Sequence, residues 1–236
     1  MNETTKARPR REREGFFERY CQGAGIDIGH GGDMVLPEVR GWDKEDGDAQ
    51  KLEGVADASY DFVYSSHCLE HLSDPLEAML NWWRVLKVGG YLIVVVPNED
   101  LYEQRIWPSV FNIDHRHTFA IHKEKTWSPV GVNLMDLVTH LPMHDVVYVR
   151  VVDTEYDYQR KDIIDQTQWD VEAGIELVVK KIAPDFTFHS QMAQVFRCPR
   201  CGYGRLAIEG LRKDNSFALM CNRCGERTNA QLSVNS

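Results

Sequence analysis

Short, largely apolar runs alternate with apolar positions at helical spacing along most of the chain. The runs predict buried strands, at residues 24–28, 39–43, 60–65, 91–96, 145–152 and 174–181. The helical spacing predicts two helices, over residues 75–86 and 134–140. The pair Gly89-Gly90, shortly after the first of these helices, is a typical C-terminal stop signal. This alternation predicts an α/β fold with an open, mostly parallel sheet and flanking helices.

The first residues of the chain are strongly charged and predict a helix of their own. Within residues 6–20, Phe16, Phe17 and Tyr20 form a side that can dock onto the rest of the protein. The arginines are interleaved with acids, so we expect them to form a solvated face. The predicted organisation is an N-terminal charged helix at 1–19, an α/β domain at 20–182, a linker at 183–195, a cysteine-bearing module at 196–228 and a tail at 229–236.

The net charge of −9 over 236 residues argues against a generally nucleic-acid-binding surface. The charge is uneven, because residues 196–236 carry seven Lys or Arg and three Asp or Glu, which gives +4 there and −13 over the rest. This basic end is either a contact for an acidic partner or a solvated surface. No run of 18 apolar residues and no hydrophobic secretory segment occurs, so we expect a cytoplasmic protein without a membrane partner.

A glycine-rich stretch follows the first predicted strand, where open α/β sheets bind their ligands. Gly29 and Gly31 allow tight turns and close approach of a ligand to the backbone. Asp27 and Asp33 would repel a pyrophosphate, and the nearby Pro37 leaves little room for a phosphate-binding helix. A ligand with a positive charge and a ribose diol fits better, and S-adenosylmethionine has both.

Five segments in order carry a resemblance to a known family, and together they cover residues 20–182. They are GIDIGHGG, GWDKED, GDAQKL, YDFVYSSHCLEHL and RVLKVGGYLIVVVPN. The chain resembles the Rossmann-like, seven-strand methyltransferases that depend on S-adenosylmethionine. The resemblance implies a sheet of about seven strands with flanking helices and the activity of that family.

The resemblance also implies a set of residues that contact the cofactor. These are Asp27, Gly29 and Gly31 at the methionine moiety, Asp43 at the ribose diol, Asp48 and Ala49 at the adenine edge, and Ser65, Ser66 and His67 beside the sulfonium. One departure from the family pattern is that only 15 residues separate Asp27 from Asp43. We therefore expect the first helix of the family to be short or replaced by a loop, and this leaves the role of Asp33 open.

The segment after Pro97 is expected to lie over the cofactor and bind the methyl acceptor. Its densest chemistry is Asp114-His115-Arg116-His117. His115 is the first candidate for a general base and His117 the second; Asp114 could orient the imidazole, and Arg116 could hold an anionic group. The same segment could instead be a hydrogen-bonded loop that shapes the lid, or part of a metal site. Its similarity to enzymes of sugar pathways favours a small-molecule or saccharide-like acceptor.

Two C-x-x-C-G knuckles near the C-terminus predict a structural zinc site. The ligands are Cys198, Cys201, Cys221 and Cys224, and 19 residues separate the pairs. This pattern resembles a zinc ribbon, with strands expected over 205–208 and 217–220, although a redox dithiol is an alternative. Such a module could dock a protein or nucleic acid, brace the enzyme, or form an oligomer contact.

Three functions remain open on the sequence alone. The leading one is transfer of a methyl group from S-adenosylmethionine to an oxygen or nitrogen of a small-molecule or saccharide-like acceptor. The second is methylation of a nucleic acid or protein that the zinc ribbon recruits. The third is a scaffold that binds the cofactor without turnover, against which the intact glycine loop and Asp43 argue.

Overall fold

The computed structural model of the protein describes residues 2–168 and 170–183, and the backbone of three strands within 206–231. The chain divides into two compact units, residues 1–183 and residues 184–236. None of the helices in the described residues is long and apolar enough to cross a membrane.

The first unit is built on a six-stranded sheet with the order β2-β1-β3-β4-β8-β7. Its strands are β1 (Gly25–Ile28), β2 (Arg40–Trp42), β3 (Tyr60–Ser66), β4 (Leu86–Pro97), β7 (His144–Val152) and β8 (Gly174–Lys181). Strands β1 to β4 pair in parallel, whereas β8 is antiparallel to both β4 and β7. The predicted α/β fold with a mostly parallel sheet is confirmed.

The sheet has six strands among the described residues, not about seven. Strand β2 is its edge, and the chain passes from Trp42 to Tyr60 through turns alone. This connection contains no strand, so β2 has no further neighbour in the described part of the first unit. Similarly, no helix lies between β1 and β2, as the short spacing from Asp27 to Asp43 predicts.

The helices and a small second sheet complete the first unit. They are α1 (Glu3–Arg13), α2 (Phe16–Tyr20), α3 (Pro75–Val85) and α4 (Leu134–Thr139), two short 3-10 helices at Leu69–His71 and Gln166–Gln168, and the parallel pair β5 (Thr118–Ala120) and β6 (Gly131–Asn133). Helix α3 begins where the Asp74 side chain accepts hydrogen bonds from the N–H groups of Leu76 and Glu77, both at 3.0 Å. Its apolar side packs into the main core through Met79 and Trp82.

The N-terminal segment forms two helices instead of one, because Gly15 adopts a left-handed conformation with φ of +63°. The expectation that its arginines form a solvated face is wrong for Arg10 and Arg11. Arg11 is 1% exposed and lies 2.8 Å from Glu176 on β8, and Arg10 lies 3.1 Å from the same carboxylate. The acidic partner lies far along the chain, so the local charge pattern could not reveal it.

The second unit contains an antiparallel sheet with the order β11-β10-β9. Its strands are β9 (Leu206–Leu211), β10 (Ser216–Cys221) and β11 (Arg227–Gln231). The first two overlap the strands expected over 205–208 and 217–220. Cys198, Cys201 and Cys224 and the predicted linker from residue 184 onward lie outside the described residues, and Cys221 is described only as the last backbone position of β10.

Candidate functional site

A cavity of about 800 Å³ opens where the parallel strands β1, β2 and β3 end. It is lined by Gly29, Gly31, Asp43, Lys44, Gly47, Asp48, Ala49, His67, Cys68, His71, Leu72, Ile113, Asp114, His115 and Arg116. The cavity therefore brings together most of the residues predicted to contact the cofactor and the first candidate for the base. This is the edge of an open α/β sheet at which ligands are expected.

The glycine loop closes tightly on one side and is open on the other. A Cβ atom at Gly29, where φ is +72°, would lie 2.4 Å from Sγ of Cys68, so a larger residue does not fit. The N–H of Gly29 donates to the carbonyl of Trp42 at 2.8 Å, which fixes the loop to the end of β2. Gly31 also has a positive φ, +54°, but faces open space in the cavity. The loop is thus rigid where it meets the protein and accessible where a ligand would lie.

Asp43 stands at the end of β2 with both carboxylate oxygens aligned by the backbone. Its Oδ2 accepts from the N–H of Gly31 at 2.7 Å, and its Oδ1 accepts from the N–H of Lys44 at 2.8 Å. Partial burial raises the pKa of Asp43, but the two N–H donors outweigh it, so the pKa lies below its ordinary value. An ionised carboxylate has about four acceptor positions. Two of them are left for hydroxyl donors in the cavity.

The predicted adenine contacts, Asp48 and Ala49, form the outer wall of the cavity. Asp48 is exposed and its Oδ1 accepts from the N–H of Gln50 at 2.9 Å. The carbonyl of Ala49 accepts from the indole N–H of Trp82 at 2.8 Å, so this wall is tied to helix α3. Both residues line the same cavity as Asp43.

His67 lies on the floor of the cavity in a strained backbone conformation, with φ of +53°. Burial lowers the pKa of its imidazole to about 3, helped by the nearby charge of Lys6 and the neighbouring imidazoles. The ring is therefore neutral at physiological pH. A neutral group beside a sulfonium avoids the repulsion that a cationic imidazole would cause.

Three residues of the predicted cofactor set do not line the cavity. Asp27 is 1% exposed, and its Oδ2 accepts from the N–H of Val35 at 2.7 Å; burial raises its pKa to about 7. Ser65 is buried and donates to the carbonyl of Ile28 at 3.0 Å. Ser66 contacts Nδ1 of His67 at 3.1 Å. In this structure these side chains organise the loops around the cavity.

His115, the first candidate for a base, lines the cavity and is held by a buried carboxylate. Its Nδ1 lies 2.6 Å from Oε1 of Glu103, and both side chains are almost fully buried. Tyr102 packs against the imidazole, with ring centres 5.3 Å apart. The expectation that Asp114 orients His115 is wrong, because Glu103 does so from the turn region after β4. Because Nδ1 contacts Glu103, Nε2 is the ring nitrogen that can accept a proton or bind a ligand in the cavity.

His71 also lines the cavity, and the buried Glu70 precedes it in the chain; neither residue was among the predicted site residues. Glu70 is 0% exposed, and neither carboxylate oxygen has a hydrogen-bond partner among the described residues. Burial raises its pKa to about 8, and the charge of Glu103 adds to the effect. The Nδ1 atom of His71 lies 3.1 Å from the carbonyl of Asp114. The sequence indicates these two positions only by an acid next to a histidine, shortly after the predicted cofactor residues Ser65, Ser66 and His67.

His117, the second candidate for a base, does not line the cavity. Its Nε2 lies 3.4 Å from the carbonyl of Ser73. The backbone carbonyl of Glu70 accepts from the N–H groups of Arg116 and His117, at 2.8 Å and 3.2 Å. The same hydrogen bonds hold the exposed Arg116 at the rim of the cavity. The loop thus presents His115 and Arg116 to the cavity and turns His117 away.

Comparison with known proteins agrees with the fold of the first unit. Residues 13–94 match the model of a family described as a methyltransferase domain. Among solved structures, the chain is similar to a protein studied for the conversion of a disulfide bond into a thioacetal group during echinomycin biosynthesis, with 13% identity, a TM-score of 0.50, and coverage of 80% of this chain and 87% of that one.

Two further similar structures are SAM-dependent methyltransferases. One, from Archaeoglobus fulgidus, has 19% identity, a TM-score of 0.49, and coverage of 77% of this chain and 95% of that one. The other, from Thermotoga maritima, has 20% identity, a TM-score of 0.44, and coverage of 77% and 100%. No curated protein matches the chain. The family match shows that residues 13–94 are similar to a methyltransferase domain.

Proposed function

We propose that the protein transfers the methyl group of S-adenosylmethionine to a hydroxyl oxygen of a small-molecule or saccharide-like acceptor. The observation that carries this proposal is the shared cavity. Its lining includes Gly29, Gly31 and Asp43, which form the cofactor wall of the proposal, and also His71, His115 and Arg116. A cofactor bound by the first group would share one cavity with an acceptor bound by the second.

The cofactor wall suits S-adenosylmethionine better than a dinucleotide. The two unfilled acceptor positions of Asp43 match a ribose diol, and such charge-assisted hydrogen bonds are among the strong ones. Gly31 leaves open space for the cofactor's amino-acid end, while Asp48 and Ala49 would flank the adenine. Asp27, Ser65 and Ser66 would support this wall from behind, and His67 would form its floor beside the sulfonium.

Methyl transfer needs an acceptor oxygen in line with the bond between the methyl carbon and sulfur. S-adenosylmethionine would supply the methyl group and leave as S-adenosylhomocysteine, with the electron pair of the broken carbon–sulfur bond on sulfur. The hydroxyl proton would pass to Nε2 of His115, because Nδ1 is held by Glu103. Glu103 holds the ring in this orientation and stabilises the imidazolium that forms.

The acceptor end of the cavity mixes one cation with apolar side chains. Arg116 and Ile113 are exposed at the rim, and Leu72 lies deeper. Tyr102 and Phe111 pack edge to face with ring centres 5.8 Å apart. In this arrangement the two rings would stabilise the segment after Pro97 and would not stack on the acceptor. This surface fits a hydroxylated acceptor of modest size that carries an anionic group for Arg116.

Transfer of a labelled methyl group from S-adenosylmethionine tests this function. We expect label in a panel of hydroxylated small molecules and saccharides, and a loss in kcat of roughly a hundredfold or more in His115→Gln. His117→Ala is the matched control and should keep its activity, because its side chain faces Ser73. Label in RNA, DNA or protein alone, or equal losses in both variants, would refute the proposal.

For the second unit, the two C-x-x-C-G pairs support a structural zinc ion bound by Cys198, Cys201, Cys221 and Cys224. The full chain should then contain one cysteine-bound zinc ion, and Cys198→Ser should lose it. Seven basic residues in 196–236 favour a secondary role in docking an acidic partner such as nucleic acid. Binding to RNA or DNA that weakens steeply with salt would support that role, and salt-independent binding or none would exclude it.

A further inference from the structure

We propose that Glu70, His71 and His115 bind a divalent transition-metal ion at the acceptor end of the cavity. These three residues each offer a ligand atom, and the three atoms lie within 4.8 Å of one another. His71 and His115 line the cavity, and Glu70 is buried directly beside them. These ligands are not the cysteines predicted to bind zinc, and of the segment Asp114-His115-Arg116-His117 they include His115 alone.

The distances are close to those of a bound ion. Nε2 of His71 lies 3.9 Å from Oε1 of Glu70, and the imidazole rings of His71 and His115 are 4.9 Å apart between centres. Ligands that each lie about 2.1 Å from an ion in tetrahedral geometry are roughly 3.4 Å from each other. Side-chain movements on the order of an ångström would therefore close the three groups around an ion.

Both imidazoles are already oriented as metal ligands usually are. Nδ1 of His115 contacts the Glu103 carboxylate at 2.6 Å, and Nδ1 of His71 contacts the backbone carbonyl of Asp114 at 3.1 Å. Each oxygen acceptor holds a proton on Nδ1 and leaves the lone pair on Nε2. Carboxylate and carbonyl partners of this kind typically fix the ring of a metal-binding histidine.

Glu70 provides an independent indication of a missing partner. It is fully buried, and both of its oxygens lack a hydrogen-bond partner among the described residues. A buried carboxylate in this state is costly unless a cation or a donor meets it. Glu103 lies in the same cluster, and no Lys or Arg of the described residues forms an ion pair with either carboxylate. A divalent ion would supply the partner that the buried oxygens of Glu70 lack.

The ligand chemistry selects the class of ion. Two imidazole nitrogens and one carboxylate favour Zn²⁺ and its neighbours in the first transition row over Mg²⁺ or Ca²⁺, which prefer oxygen ligands. Three protein ligands leave at least one coordination position, and it would face the cavity. Zinc sites with an open position are typical of catalysis instead of structure.

This inference also deepens the proposed function, on which its catalytic part rests. An acceptor hydroxyl in the open position would be coordinated to the ion, and coordination lowers the pKa of such a group. With the ion bound, the hydroxyl would lose its proton to solvent before it attacks the methyl carbon. Nε2 of His115 would then be a ligand of the ion and would no longer be the base described under the proposed function. Methyl transfer would accordingly depend on the ion as well as on His115.

Titration of the full chain with Co²⁺, followed by optical absorption and calorimetry, tests the site directly. We expect one Co²⁺ ion per chain beyond any metal bound by cysteines, with a spectrum that lacks thiolate-to-cobalt absorption. Glu70→Gln and His71→Ala should weaken this binding at least about tenfold. His117→Ala is the matched control and should bind Co²⁺ like the native chain, and excess Mg²⁺ should not compete.

The half-buried His71 makes His71→Ala the decisive variant if Glu70→Gln does not fold. Absence of cysteine-independent Co²⁺ binding, or unchanged binding in His71→Ala, would overturn the inference. Titration of the native chain with S-adenosylhomocysteine separates the two proposals. Binding of Co²⁺ without binding of S-adenosylhomocysteine would support the metal site and contradict the methyltransferase function. Binding of S-adenosylhomocysteine without binding of Co²⁺ would support the cofactor site and contradict the metal site.

Discussion

Nδ1 of His115 lies 2.6 Å from Oε1 of Glu103, and both side chains are almost fully removed from solvent. The contact joins the turns that follow β4 to the loop that precedes β5, and it holds the imidazole in the lining of the cavity that also contains Asp43. The carboxylate fixes one nitrogen of the ring, and the other nitrogen is left for the reaction. The acceptor chemistry proposed above depends on this orientation.

Replacement of Glu103 by Gln should impair turnover without impairing cofactor binding. The amide keeps the shape of the side chain but removes the charge that stabilises an imidazolium or a metal-bound imidazole. We expect kcat to fall roughly ten- to hundredfold, while the affinity for S-adenosylhomocysteine stays within about twofold. Steady-state kinetics and calorimetry measure the two quantities. Equal losses in both would show that Glu103 only maintains the fold.

Gly29→Ala should destabilise the protein more than Gly32→Ala. Both positions have a positive φ, +72° and +88°, so both variants carry the same kind of backbone strain. Only at Gly29 would the new Cβ atom clash with Cys68, whereas at Gly32 nothing lies within 4 Å. We expect a difference of about 1–3 kcal/mol in the free energy of unfolding, measured with urea. Equal effects would contradict the tight packing of this loop.

The buried carboxylate of Glu176 should contribute strongly to stability at neutral pH. Burial raises its pKa, but Arg11 and Arg10 outweigh this effect and lower the pKa to about 2, from an ordinary 4.5. A lowered pKa stabilises the folded state above pH 4.5, and this contribution disappears as the pH falls towards 2. Glu176→Gln should thus cost about 3 kcal/mol at pH 7 and much less near pH 3.

Urea unfolding at the two pH values measures this difference, with Glu12→Gln on the exposed side of α1 as the control. The control should unfold like the native chain at both values. A deficit in Glu176→Gln that is unchanged by acid would show that packing, and not charge, accounts for the loss.

Asp33 should anchor the N-terminal helix and take no part in cofactor binding. Its Oδ2 accepts from the N–H of Thr5 at 3.0 Å, which satisfies one of the unpaired donors in the first turn of α1. We expect Asp33→Ala to lower stability by about 1 kcal/mol and to speed hydrogen exchange in α1. The exposed Glu38→Ala in the same loop should do neither. A large loss of affinity for S-adenosylhomocysteine in Asp33→Ala would assign it to the cofactor instead.

The sequence predicted the architecture well, because strands and helices depend on local periodicity. The apolar run around Val94 and the helical spacing from Pro75 onward correspond to β4 and α3. The glycine loop and Asp43 were recognisable because glycines and a carboxylate at the ends of neighbouring strands are typical of a nucleoside site. The edge of the sheet at β2 was not predictable from the family pattern, which has a further strand.

The acceptor end could not be predicted in the same way, because it depends on contacts between distant segments. Asp114 adjoins His115 in sequence, yet the chain places Glu103 against the ring. Glu70 reads as an ordinary polar residue until the fold buries it without a partner among the described residues. Likewise, Arg11 pairs with Glu176 across 165 residues of chain. Side-chain partnerships of this range are set by packing and not by local pattern.

The most direct test of the central claim is calorimetric titration with S-adenosylhomocysteine. The native chain should bind it with a Kd on the order of micromolar, and Asp43→Ala should bind at least about tenfold more weakly, because the ribose diol loses charge-assisted hydrogen bonds. Glu45→Ala, an exposed acid two residues away, should bind like the native chain. A folded native chain that does not bind, or an Asp43→Ala variant that binds as tightly as the native chain, would contradict the cofactor site described here.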